Sequence, residues 1–174
     1  MYMVFFFLNT LLDLDDRICK VFSFFFNQRY RHKEIFMKRN KFIIIGSGRL
    51  GANIATKMSE LGEDVIIIDA TEDSFRKLQE SFSGYQVVGD ATDLSVLENS
   101  YIKHAKAVVI TTDSDNVNIF LSHICYYVYN VPRIFVRLAD TDKGRLLEGT
   151  YIKAFYPFTL SLNEFMNLSE VEEE

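Results

Sequence analysis

The chain has no tryptophan, two prolines, two cysteines and three histidines in 174 residues. Each scarcity removes a class of reading. Cys19 and Cys125 stand far apart without a C-x-x-C pair, so the spacing encodes neither a disulfide framework nor a zinc ribbon. They read instead as free thiols in a reducing cytoplasm. His32, His104 and His123 are scattered and form no ligand cluster with them. Long apolar runs are missing too: none approaches the roughly 20 residues that a spanning helix needs. Positive charge is sparse over most of the chain. Residues 41–174 hold twelve Lys or Arg against twenty Asp or Glu, net −8, whereas residues 1–40 hold seven against four, net +3. An acidic main body argues against nucleic acid as the principal partner.

What the chain does have is a glycine turn in a telling place. Residues 42–45 are a short apolar run, Phe-Ile-Ile-Ile, as expected of a strand covered on both faces of a parallel sheet. Gly46-Ser47-Gly48-Arg49-Leu50-Gly51 follows and opens a helix whose apolar positions are Leu50, Ile54, Met58 and Leu61. In this G-x-G-x-x-G pattern Gly46 permits the tight turn, Gly48 lets a phosphate approach the backbone, and Gly51 allows close helix–strand packing. The helix N-terminus offers free N–H groups and a positive dipole end to that phosphate. A second apolar run, residues 65–68, ends in Asp69, 18 residues after Gly51. A dinucleotide fold places its ribose-binding carboxylate at about that distance. Such a carboxylate repels a 2′-phosphate, which favours NAD or an adenosine nucleotide over NADP. Alone, Asp69 reads equally well as a strand end or cap.

The alternation continues. Phe75, Leu78 and Phe82 mark a short helix. Residues 85–88 are a third strand, followed by Gly89-Asp90-Ala91-Thr92-Asp93, and Leu94, Leu97 and Tyr101 mark another helix. Residues 107–110 form a fourth strand. Thr111-Thr112-Asp113-Ser114-Asp115-Asn116 then opens a long helix to about Tyr129, with Val117, Phe120, Leu121, Ile124 and Val128 as its expected inner face. Residues 133–138 are a fifth strand, residues 145–150 a helical turn or two, and residues 153–156 a sixth strand before Pro157. Strands and helices at these spacings predict an α/β fold: a doubly wound, Rossmann-like parallel sheet of about six strands with right-handed crossovers. Asp113 and Asp115 supply too few ligands for a cation site, and a helix N-cap at Ser114 or Asp115 explains that loop.

Three segments emerge: an extension over 1–40, the sheet domain over 41–159, and a short helix with an acidic tail over 160–174. Half of the sixteen phenylalanines lie in the extension. Leu11, Leu14, Ile18, Phe22 and Phe25 share one helical face there, a pattern expected of a helix lying on a membrane surface or against a partner. Packing on its own domain, or translation beginning at Met37, accounts for the same pattern. A secretory signal is disfavoured, since a basic n-region and a small-residue cleavage site are missing.

The glycine turn with Arg49 inside it, Asp69, the Gly89-Asp90-Ala91-Thr92 sequence and the Thr111-Thr112 pair together resemble one family. Residues 41 to about 157 are similar to the N-terminal nucleotide-binding domain of the Trk/Ktr-type potassium-transport regulators, the RCK or TrkA-N family. That resemblance implies a cytoplasmic regulatory subunit, peripheral to the inner face of the membrane, that gates a potassium channel or transporter. It implies assembly as a homo- or hetero-oligomer, from a dimer to an octameric ring, and binding of NAD(H), ATP or ADP. Carried onto this chain, Gly46, Ser47, Gly48, Leu50 and Gly51 form the phosphate turn and Asp69 holds the ribose. Arg49 reaches a terminal phosphate or a neighbouring subunit. Asp90, Ala91 and Thr92 border the adenine, and Thr111 and Thr112 the far side of the cleft. Family members often continue into a C-terminal ligand-binding lobe, for which 160–174 is too short, so a companion chain is one expectation.

The alternative is an NAD-dependent oxidoreductase or epimerase, which needs a substrate pocket and a positioned acid or base. His104 falls at the amino-terminal end of a strand and His123 inside a helix, both unsuited to that role. A DNA-binding redox sensor would need a basic recognition module, and a Phe-rich extension is a poor one.

Overall fold

The computed structural model describes residues 39–169. The expectations for the Phe-rich extension up to residue 38, its membrane or partner contact included, and for the acidic tail 170–174 lie outside the described residues.

Six parallel strands form one sheet: β1 (Lys41–Ile45), β2 (Asp64–Asp69), β3 (Tyr85–Val88), β4 (Ala105–Ile110), β5 (Ile134–Arg137) and β6 (Lys153–Phe155). Their order is β3-β2-β1-β4-β5-β6. This is the doubly wound arrangement, in which the chain leaves β1 in one direction, returns, and continues from β4 in the other. Between the strands lie α1 (Arg49–Glu60), α2 (Leu94–Asn99) and α3 (Asp115–Tyr127), and α4 (Pro157–Ser169) follows β6. Among the described residues no helix is long and apolar enough to cross a membrane.

Period-two alternation divides each central strand between two cores. Ile43, Ile45, Ile66, Ile68, Val108 and Ile110 face α2 and α3, packing with Leu97, Leu121 and Cys125. Phe42, Ile44, Val65, Ile67, Ala107 and Val109 face α1, packing with Ala55 and Phe75. Burial on both faces explains why these strands read as unbroken apolar runs.

Three local expectations need correction. In α1 the buried residues are Gly51, Ala52, Ala55, Thr56 and Ser59, while Leu50, Ile54 and Met58 are half-buried and Leu61 is exposed. Small residues let the helix axis approach the sheet, and the larger ones flank that contact. The segment after Asp69 is a 3-10 helix, Glu72–Lys77, and Leu78 is already extended. In α3 the inner face is Asn118, Ile119, Leu121, Ser122 and Cys125. Phe120 and Val128, expected inside, are exposed to 46% and 48%. The helix is rolled so that the Asn118 amide meets the carbonyls of Thr112 and Arg137 at 3.0 and 2.9 Å, and pairing it avoids the cost of a buried unsatisfied amide.

Candidate functional site

The strand order reverses between β1 and β4, and a cavity of about 400 Å³ opens at their carboxyl ends. Gly46 and Gly48 form one wall, Asp69 to Thr71 with Ser74 and Lys77 a second, Gly89 to Ala91 a third, and Thr111 to Ser114 the fourth. A crevice at this switch point is where open α/β sheets bind ligands.

The three glycines meet three different demands. Gly46 has φ +98°, and a Cβ there would lie 2.9 Å from the Thr111 backbone. Gly51 packs so closely that a Cβ would sit 1.9 Å from the Gly46 carbonyl oxygen. Gly48 is under neither constraint: its φ is −66°, and a Cβ would meet no protein atom within 4 Å. It borders the cavity, so its bare Cα leaves room on the side where a phosphate would approach. Helical bonding begins with the Ala52 N–H donating to Gly48 O at 2.9 Å. The N–H groups of residues 49–51 therefore have no intrahelical acceptor, as an anion site at a helix start requires. The open glycine, the free amides and the carboxylate at the end of β2 fit an adenine nucleotide.

Asp69 is anchored from two sides. Its Oδ2 accepts the Ser47 N–H at 2.7 Å and its Oδ1 the Thr71 N–H at 2.9 Å. Asp90 accepts both the Thr92 hydroxyl at 2.7 Å and the Thr92 N–H at 2.8 Å, which hold its carboxyl below the usual carboxylate range. Asp93 caps α2 through the Ser95 N–H at 2.9 Å. The Thr111 hydroxyl donates to the carbonyls of Ile45 and Gly46 at 3.2 and 3.1 Å, tying β4 to the glycine turn.

Of the twelve residues expected in the site, Gly46, Gly48, Asp69, Asp90, Ala91, Thr111 and Thr112 line the cavity. Ser47 is buried, and its amide is engaged by Asp69. Gly51 lies behind the turn, Leu50 is half-buried on α1, and Thr92 sits outside the lining with its hydroxyl on Asp90. Arg49 is exposed at the start of α1, outside the lining. Sequence reasoning missed Thr71, Ser74 and Lys77 on the wall beside Asp69. It also missed the brace behind Thr112. The Asn118 Oδ1 accepts the Thr112 N–H at 3.1 Å, and the Arg137 Nη1 donates to the Thr112 carbonyl at 2.9 Å. Asp115, buried at the first turn of α3, accepts the N–H groups of Ala139 and Asp140 at 2.9 and 3.0 Å. The N-cap itself is Ser114. Asp115, Asn118 and Ser122 recur at helical spacing, and that polar stripe was the available signal. Neither His104 nor His123 reaches the cavity; the His123 Nε2 pairs with the Leu146 carbonyl at 3.1 Å.

A doubly wound parallel sheet with a glycine turn and a crevice at its switch point defines a Rossmann-like domain. The TrkA-N domain family matches residues 42–155, and the chain belongs to that family. It is 38% identical over 120 residues to a Trk system potassium uptake protein TrkA homolog of Pyrococcus abyssi, covering 68% of this chain and 53% of that protein. The homolog of Pyrococcus horikoshii is 32% identical with the same coverage. The chain thus spans about half the length of these relatives. The RCK domain of GsuK superposes with a TM-score of 0.65 at 27% identity, over 76% of this chain and 28% of that one. GsuK has also been solved bound to ADP and, as the channel, bound to NAD.

Proposed function

We propose that this chain is a nucleotide-binding regulatory subunit of a potassium transport system. It binds NAD(H), ATP or ADP in the crevice at the ends of β1 to β4, and the nucleotide state alters an oligomeric assembly, a dimer or a ring, that controls a membrane potassium-transport subunit from the cytoplasmic face. The observation that carries the reading is Gly48, which borders the cavity and whose missing side chain serves no packing or backbone need. Membership of the TrkA-N family and the NAD- and ADP-bound states of GsuK support the ligand class and the transport context.

In this reading the amides at the start of α1 bind the phosphates, and Asp69 takes the ribose hydroxyls with the acceptor capacity left by Ser47 and Thr71. A ligand shifts a conformational equilibrium only by binding one arrangement better than another. Symmetric subunit interfaces supply such arrangements.

Calorimetric titration of the full chain with NADH, NAD, ATP and ADP tests the site, and light scattering with and without each nucleotide tests the assembly. Saturable binding by at least one nucleotide with a change in assembly is the expected result. A monomer at every concentration, indifferent to all four, overturns the proposal.

A further inference from the structure

Behind the cavity wall lies a polar brace that continues to α4. The Thr112 carbonyl accepts the Asn118 Nδ2 at 3.0 Å and the Arg137 Nη1 at 2.9 Å. Asn118 also accepts the Thr112 N–H and donates to the Arg137 carbonyl, so the backbone and side chain of Arg137 are both tied to Thr112. On its other side the Arg137 guanidinium lies 5.7 Å from the centroid of the Phe158 ring, within cation–π range. Phe158 is in the first turn of α4 and is 63% exposed, and no residue of α4 is buried. A core of its own therefore does not fix the orientation of this helix. One planar guanidinium spans the wall of the cavity and the first turn of α4.

We propose that Arg137 is a coupling residue that links occupancy of the nucleotide cavity to the orientation of α4. The inference rests on the nucleotide-binding reading above and adds the route by which that site is regulated. A ligand pressed against Thr112 acts on a carbonyl that already takes two donors. Any displacement there changes how the guanidinium meets Phe158. Arginine suits the task because its fork donates in plane while its face packs on a ring, which a lysine ammonium does not reproduce. Coupling is reciprocal, so a change at α4 alters nucleotide affinity by the same factor that the nucleotide alters α4.

Reciprocity supplies the test. NADH, NAD, ATP and ADP are titrated into the wild type, and the tightest binder is then used with Phe158→Ala, Arg137→Lys and the double variant, each checked for folding by circular dichroism and thermal melting. Phe158→Ala, which removes no cavity-lining atom, changes the dissociation constant by about two- to fivefold. Arg137→Lys changes it at least as much, and the double variant shows no further change from the loss of Phe158. Phe158→Leu keeps apolar bulk without a ring face and reads the same contact if Arg137→Lys proves unfolded. Hydrogen exchange of the α4 amides responds to nucleotide in the wild type and not in the Phe158 variants. Wild-type affinity in both Phe158 variants overturns the coupling while leaving the nucleotide reading intact. A wild type that binds none of the four nucleotides overturns both.

Discussion

The Asp69 carboxylate accepts the backbone N–H of Ser47 at 2.7 Å, so the residue ending β2 holds the glycine turn that follows β1. With the Thr71 N–H on its second oxygen, one side chain positions the two loops that face each other across the cavity. Cap and ribose acceptor are therefore compatible roles, because each carboxylate oxygen accepts more than one donor. Asp69→Ala is expected to lower stability by about 1–3 kcal/mol through two unmet amides, in addition to weakening nucleotide binding. Asp69→Asn keeps one acceptor and falls between. Urea unfolding at neutral pH reads the order, and an alanine variant as stable as the wild type would leave the carboxylate a ligand role alone.

Gly48 and Gly51 are expected to fail differently. At Gly48 a Cβ meets no protein atom within 4 Å and φ is ordinary, so Gly48→Val is expected to keep the melting temperature close to wild type while nucleotide binding is lost. Gly51→Ala drives a methyl into the Gly46 carbonyl, a backbone contact that cannot swing away. A loss of about 3 kcal/mol or more is expected, at the upper end for overpacking. Calorimetric titration and thermal melts on both variants separate the roles; undiminished affinity in a folded Gly48→Val protein removes Gly48 from the site.

Arg49 stands exposed beside the free amides of α1. If its guanidinium contacts a terminal phosphate directly, Arg49→Ala weakens ATP and ADP by about 1.5–3 kcal/mol, as for a hydrogen bond to a charged group. Unchanged affinity for every nucleotide, measured by calorimetry, assigns the side chain to an intersubunit contact instead.

Asp115 ties α3 to the loop after β5. Burial pushes its pKa up, but the amides of Ala139 and Asp140, with Lys143 and Arg137 nearby, outweigh that and bring it below the ordinary carboxylate value. A carboxyl that ionises more readily folded than unfolded stabilises the fold in full above the unfolded pKa of about 3.9. That contribution is lost as pH falls through the folded value. Asp115→Asn is therefore expected to cost about 1–3 kcal/mol at pH ~7, with the gap to wild type narrowing in acid. Urea midpoints across the acid range check it; a gap constant with pH would show that the charge is irrelevant.

Cys125 lies in the core on the inner face of α3, and burial pushes its thiol up to about 12. In a Cys19→Ser background it is expected to resist alkylation at mildly basic pH until denaturant is added, because the thiolate is the nucleophile. Mass spectrometry of the labelled native protein reads this directly.

The elements that were legible from the residues are those whose signal is local. Residues 42–45 and 65–68 announce doubly covered strands because burial on both faces leaves no polar alternation. Gly46 to Gly51 announces its turn because Gly46 and Gly51 each answer a backbone demand inside six residues, while Gly48 leaves the cavity wall bare. Asp69 follows from its distance along the chain. Alternation of these units was enough to imply the sheet class, its parallel strands and the end at which the crevice opens.

Tertiary structure alone decided which faces point inward and what braces the site. The apolar stripe of Phe120 and Val128 satisfies helical periodicity, yet α3 turns Asn118 and Ser122 inward, where the single Asn118 amide meets carbonyls from the loop after β4 and the end of β5. Lys77, Asp115 and Arg137 reach the site or its support from elements far along the chain, and no spacing rule connects them to the glycine turn. Periodicity measures how much of a helix is apolar. Which side is buried depends on the hydrogen bonds that long-range contacts leave to be met, and those exist only once the strands have come together.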